Sequence, residues 1–77
     1  MFVYILQSET GSHYYVGLTK NVDKRLKEHN ARSVSHTSKY APWTLKNYIW
    51  FSDDKKASEF EKYLKTSSGR AFSKKRL

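Results

Sequence analysis

The run Phe2-Val3-Tyr4-Ile5-Leu6 is apolar at every position and rich in β-branched and aromatic residues. It lacks the in–out alternation of a half-solvated strand, so it suits a strand covered on both faces. That demand is severe in a chain of 77 residues, which has material for one small domain, residues 1–77. A chain of this size buries only about 60% of the surface its unfolded form exposes. Its core must be thin, and aromatic rings, each burying roughly 150–250 Å², are the economical filling. Aromatic residues make up 16% of the sequence, so many of the tyrosines read first as core.

The rest of the chain supplies the cover. Ser8 to Ser12 is turn chemistry, with Gly11 free to take a positive φ. His13 to Leu18 reads as a second strand, and the short link favours an antiparallel hairpin. Alternation puts His13, Tyr15 and Gly17 on one face and Tyr14, Val16 and Leu18 on the other. A helix follows, capped by Thr19 or Asn21, favoured by Asp23 in its first turn and stopping near Asn30. Arg25 and His29 lie one helical turn apart beside the stripe of Val22 and Leu26. Ala31 to Pro42 has neither helical nor strand period and reads as an exposed loop. Thr44 to Phe51 is a third strand, with Pro42 before its entrance. Ser52-Asp53-Asp54 caps a second helix running to about Lys65, with Ala57, Phe60 and Leu64 on its apolar face. Ser67-Ser68-Gly69 reads as its end, and Arg70 to Leu77 as a short basic tail anchored by Ala71 and Phe72, with a short helix closing the order. The order β-β-α-β-α-(α) predicts an α+β fold, a three-stranded antiparallel sheet flanked by helices.

Charge narrows the function. Fifteen Lys and Arg against seven Asp and Glu give a formal +8, and the pI is near 9.8. Such a balance points to a polyanion, nucleic acid first. The basic residues are spread along the chain and not gathered on one amphipathic helix, which argues against a membrane surface. The first strand is too short for a signal or a span. The absence of cysteine excludes disulfides and thiolate metal sites and suits a reducing cytoplasm.

With those elements placed, the chain resembles the GIY-YIG endonuclease superfamily, and in particular its small stand-alone members related to the nuclease domain of the excinuclease C subunit. Phe2-Val3-Tyr4 stands where that family has GIY, and Tyr15-Val16-Gly17 where it has YIG. Arg25-Leu26-Lys27-Glu28-His29 matches its R-x-x-x-H, and Glu61 its metal-binding glutamate. Ser38-Lys39-Tyr40-Ala41-Pro42-Trp43 is similar to the stand-alone members. The chain departs in carrying Phe2 for the first glycine and valines for the isoleucines. It also has Leu18 where some members have lysine, and Ser68 or Ser73 where some have asparagine.

The resemblance implies a metal-dependent DNA endonuclease, with a link to DNA repair or processing by analogy. Tyr4 or Tyr15 would activate or position water, Arg25 would fork onto the scissile phosphate, and His29 would relay a proton or hold a tyrosine hydroxyl. Glu61 would hold one divalent ion, Mg²⁺ or Mn²⁺. Gly17 would let chain or substrate approach closely. Lys20, Lys39, Arg70, Lys74, Lys75 and Arg76 are candidates for DNA-backbone contacts, which position substrate without reading sequence. No base-reading element is evident, so the expected selectivity is for DNA structure unless a protein partner supplies more. Plainer readings stand beside these: Tyr4 as core, Arg25 and His29 as a solvated helix face, Glu61 paired with Lys65. The competing function is a nucleic-acid-binding module of the same fold with little or no catalysis.

Overall fold

A computed structural model describes residues 1–11 and 13–77; Ser12, assigned above to the first turn, lies outside the described residues. Strand β1 (Phe2–Ser8) and strand β2 (Tyr14–Thr19) form the expected hairpin, with Gly11 at φ 117 in its turn. Helix α1 (Val22–Asn30) and a single turn, α2 (Ser35–Ser38), lead to strand β3 (Trp43–Trp50). Helices α3 (Asp54–Leu64) and α4 (Ser67–Arg76) complete the order. The sheet is antiparallel with strand order β2-β1-β3. The fully apolar run is thus the central strand, and Val3, Tyr4, Ile5 and Leu6 are all buried.

The two faces of β1 serve two cores. Val3 and Ile5 pack with Ala57 and Leu64 of α3, joined by Val16, Leu18, Phe51 and Phe60. Tyr4 and Leu6 pack with Trp43 and Ala41, joined by Tyr15, Val22, Leu26 and Leu45. Helices α1 and α3 therefore lie on opposite faces of the sheet.

One irregularity divides β3. Ile5 is opposite Asn47 and Leu6 opposite Leu45, so Lys46 is an extra residue, a β-bulge. Residues directly opposite share a face. Trp43 and Leu45 accordingly join the α1 side, while Ile49, across from Val3, turns to the α3 side. Tyr48, across from Tyr4, and Trp50, across from Phe2, look out on the α1 side.

The caps follow local chemistry. The Asn21 side chain accepts from Lys24 N–H at the start of α1, and Asp53 accepts from Lys55 and Lys56 N–H at the start of α3. The final helix is present as expected, but the reading of residues 67–69 needs correction. Ser67, Ser68 and Gly69 open α4 and do not merely end the helix before it. Thr66 Oγ1 accepts from Gly69 N–H at 3.1 Å and caps the new helix. Gly69 is there because a Cβ would run into the Tyr63 carbonyl. The segment Ala31 to Pro42 is likewise not wholly exposed. Thr37 within α2 is buried, as is Ala41, because this segment closes the far end of the α1-side core.

Candidate active site

Helix α1 crosses the sheet from the end of β2 to the start of β3. Its C-terminal residue Asn30 anchors that crossing: Nδ2 donates to the Trp43 carbonyl at 3.0 Å, and Oδ1 accepts from Trp43 N–H. This fixes which side of α1 meets the sheet, and His29 is on it, with none of its surface exposed.

His29 Nε2 lies 2.9 Å from the Tyr4 hydroxyl, and Nδ1 lies 2.6 Å from Thr37 Oγ1. The Thr37 hydroxyl is also 3.3 Å from the Val34 carbonyl. When its single proton is given to that carbonyl, Thr37 accepts from Nδ1–H. Nε2 then offers a lone pair to the Tyr4 O–H. Among the described residues no buried side-chain nitrogen or oxygen lacks a partner. Burial, and then the Arg25 charge, hold His29 below the ordinary imidazole range, so it rests neutral.

Tyr4, Tyr15 and His29 form one aromatic cluster. Ring centroids are 6.1 Å apart for Tyr4–Tyr15, 5.9 Å for Tyr4–His29 and 4.8 Å for Tyr15–His29. Gly17 is opposite Tyr4 in the hairpin. A Cβ at Gly17 would sit 2.5 Å from the Tyr4 hydroxyl and 2.9 Å from the Tyr15 ring. Gly17 therefore admits the tyrosine itself and leaves its hydroxyl lying over β2. Burial pushes the Tyr4 hydroxyl up to about 12, and the adjacent Arg25 offsets only part of that.

Arg25 is half-buried at the rim and donates through Nη1 to Glu28 Oε1 at 2.9 Å. Glu28 and then Tyr4 raise its already high pKa, while Arg25 lowers that of Glu28. Nη1 is taken by Glu28 and the Tyr4 hydroxyl lies against the guanidinium, so a phosphate would share the fork with both.

Tyr4, Tyr15, Gly17, Arg25 and His29 are thus together at one strand-to-helix junction. Glu61 is not in that cluster. It lies on α3, which packs on the other face of the sheet and along the edge strand β2. Its side chain is 12% exposed and forms an ion pair with Lys65. Among the described residues no three His, Cys, Asp or Glu side chains gather as a ready-made metal cage. What the residues offer a divalent ion is one largely buried carboxylate, which fits an ion that keeps most of its water and takes phosphate oxygens.

The basic candidates divide. Lys20 is exposed just after β2, and Lys39 stands 5.9 Å from the Tyr40 ring centroid. Arg70 and Lys74 line a cleft of about 890 Å³ with Lys46, Lys65 and Tyr14, on the face away from Tyr4. Lys75 and Arg76 are exposed in the last turn of α4. No helix among the described residues is long and apolar enough to cross a membrane.

Thr37, Asn30 and Glu28 take part in the site but are absent from the motif. Glu28, three residues after Arg25, was legible as a helix ion pair. Thr37 and Asn30 act across the fold and carry no local signal.

A family model, described as the GIY-YIG catalytic domain, matches residues 1–76. The chain is 38% identical over 64 residues to a UPF0213 protein of Bacillus cereus, a match that covers 80% of this chain and 65% of the relative. UPF0213 proteins of Bacillus thuringiensis subsp. konkukian and Bacillus anthracis match at the same identity and coverage. The chain thus spans 65% of the length of these curated relatives. No solved structure matches it. Motif residues gathered at one junction and a family model matched over nearly the whole chain lead to one conclusion: the chain belongs to the GIY-YIG family of nuclease-type domains.

Proposed function

We propose that residues 1–77 act as a metal-dependent endonuclease module that hydrolyses phosphodiester bonds in DNA. The observation that supports this most is the hydrogen-bonded line Tyr4–His29–Thr37 beside the half-buried Arg25 fork.

Arg25, at the rim of the site beside Tyr4, grips a non-bridging oxygen of the scissile phosphate and stabilises the charge that grows there. Tyr4 acts as a neutral hydroxyl. Ionising it outright at pH 7 would cost about 7 kcal/mol. A relay avoids that cost: the attacking water passes a proton to the Tyr4 oxygen as the Tyr4 proton moves to His29 Nε2. A bond forms from water oxygen to phosphorus, the bond to the leaving oxygen breaks, and the leaving oxygen takes a proton from solvent. Thr37 keeps the His29 ring in the accepting tautomer. Tyr15, partly exposed, orients the water or the phosphate. Glu61, bordering β2 from the opposite layer, would hold the divalent ion, Mg²⁺ or Mn²⁺, once released from Lys65, and the ion would supply positive charge to substrate phosphate reaching that edge.

The second reading, a binding module with little catalysis, draws support from the Glu61–Lys65 pair and the high Tyr4 pKa. The deciding experiment is metal-dependent cleavage of supercoiled plasmid and of flap, fork and junction DNAs. Arg25→Ala should lower the rate by roughly 10²–10³-fold. Tyr4→Phe and Glu61→Ala should abolish measurable cutting. Activity that survives all three substitutions, or never appears with Mg²⁺ or Mn²⁺, would sink the nuclease reading and leave the binding module.

A further inference from the structure

Helix α1 covers only half of its sheet face. Its residues Val22 and Leu26 pack on the Tyr4, Leu6, Trp43 and Leu45 end, and Asn30 is tied to Trp43. The other end of the same face carries Phe2, Tyr48 and Trp50. Tyr48 is 55% exposed and Trp50 60% exposed. Three observations make this more than scattered exposure. The register puts Tyr48 directly across from Tyr4 and Trp50 across from Phe2, so the rings share a sheet face with the candidate catalytic tyrosine, on the side away from its hydroxyl. Phe2 and Tyr48 already contact edge-to-face at 5.8 Å between centroids. The Phe51 N–H to Met1 carbonyl bond, at 2.9 Å, holds the ends of β1 and β3 together under the rings.

We propose that Phe2, Tyr48 and Trp50 form a stacking platform for unpaired nucleobases of the substrate, on the same sheet face as the scissile phosphate held at Arg25. The occupant follows from chemistry and position. Tyr48 and Trp50 carry polar edges, stand about 6.8 Å apart along the strand, and offer one flat ring per base, as single-strand binders do. The chain carries +8, and Lys20 sits just beyond Thr19, the hairpin partner of Phe2, where a backbone phosphate would pass. A duplex cannot lay its base faces on a sheet. The platform therefore selects DNA with unpaired nucleotides near the cut, such as a flap or a frayed junction. The inference rests on the nuclease reading for the location of the cut, and its test is chosen to be independent of cutting.

The test is binding without added metal, read by fluorescence anisotropy with a labelled dT12 strand and a 12-base-pair duplex as probes. Trp50→Ala and Tyr48→Ala should each weaken dT12 binding at least fivefold and leave duplex binding unchanged, while Trp50→Phe retains most of the affinity. In the unaltered protein dT12 should quench tryptophan emission, and Trp50→Phe should remove that quenching because Trp43 is buried. Equal losses for both probes, or loss for neither, would overturn the platform. So would sedimentation showing that the chain self-associates through these rings and that Trp50→Ala dissociates it. Ring-dependent dT12 binding in a protein that never cleaves would keep the platform and discard the nuclease reading.

Discussion

Gly17 shows how closely this site is built. Gly17→Ala places a methyl group where the Tyr4 hydroxyl and the Tyr15 ring now lie. The tyrosines must shift by a few tenths of an ångström or more, which disturbs the Tyr4–His29 hydrogen bond. The expected result is a cleavage rate lowered by at least tenfold with the melting temperature reduced by only a few degrees, checked by plasmid nicking beside a thermal melt. His29 gives a second prediction at this scale. Its folded pKa lies below its unfolded value of about 6.5. Above that value both states are neutral and the full stability of the buried ring is present. As pH falls through the window below 6.5, the unfolded chain takes up a proton that the folded chain resists, and stability drops. Urea melts between pH 8 and pH 5 should show that slope, and His29→Gln should flatten it. An unchanged slope would remove His29 as the titrating group. Sequence spacing placed Arg25 and His29 on one helix but left both as candidates for a solvated face. Only the docking angle of α1, set by Asn30 on Trp43, buries one and leaves the other at the rim.

Helix α1 ends in a tight reversal at the scale of the element. Arg32 N–H donates to the His29 carbonyl and Ser33 N–H to the Glu28 carbonyl, the paired bonds of a Schellman motif. Arg32 takes φ 61 to make them, a conformation that costs a side-chain-bearing residue about 1 kcal/mol. Arg32→Gly should therefore raise stability by about 0.5–1 kcal/mol in urea melts and leave the cleavage rate alone. A loss of stability would show that the Arg32 side chain matters more than its backbone. The stop near Asn30 was legible from composition; the reversal was not, because arginine carries no mark of a left-handed turn. The same lesson applies to α4. Serines and a glycine after a helix signal termination, yet here Thr66 caps a new helix, and Gly69 answers to packing against Tyr63. Thr37 was hidden for a different reason. Its partner His29 comes from another element, and local period says nothing about contacts made across a core.

The whole molecule is a sheet with one helix layer on each side, and the division of labour between the layers is what sequence alone described least well. The two triplets, the R-x-x-x-H spacing and the basic balance located the family and most of the candidate site. They did not reveal that Glu61 belongs to the opposite layer, bordering β2, nor that the basic cleft near Arg70 and Lys74 lies there too. Charge on both faces suits a partner larger than a single phosphate, with contacts wrapping the β2 edge.

The bulge at Lys46 has a consequence for how such a chain can change. An in-frame insertion or deletion inside a regular strand turns over every side chain beyond it, and is normally ruinous. Here one surplus residue already separates the two halves of β3. Removal of Lys46 would close the ladder with Leu45 still opposite Leu6 and Asn47 still opposite Ile5, so neither half turns over. The deletion forfeits the Lys46–Tyr14 cation–π contact, 4.9 Å to the ring centroid and about 0.5–1 kcal/mol at an exposed site. It should otherwise fold normally, keep Trp50 accessible to a solvent quencher, and cut at a rate within threefold of the unaltered chain. The strand thus has a seam, and the stretches on either side of it are free to diverge in length and composition as two independent segments, one answering to the helix that carries Arg25 and the other to whatever lies on the open rings.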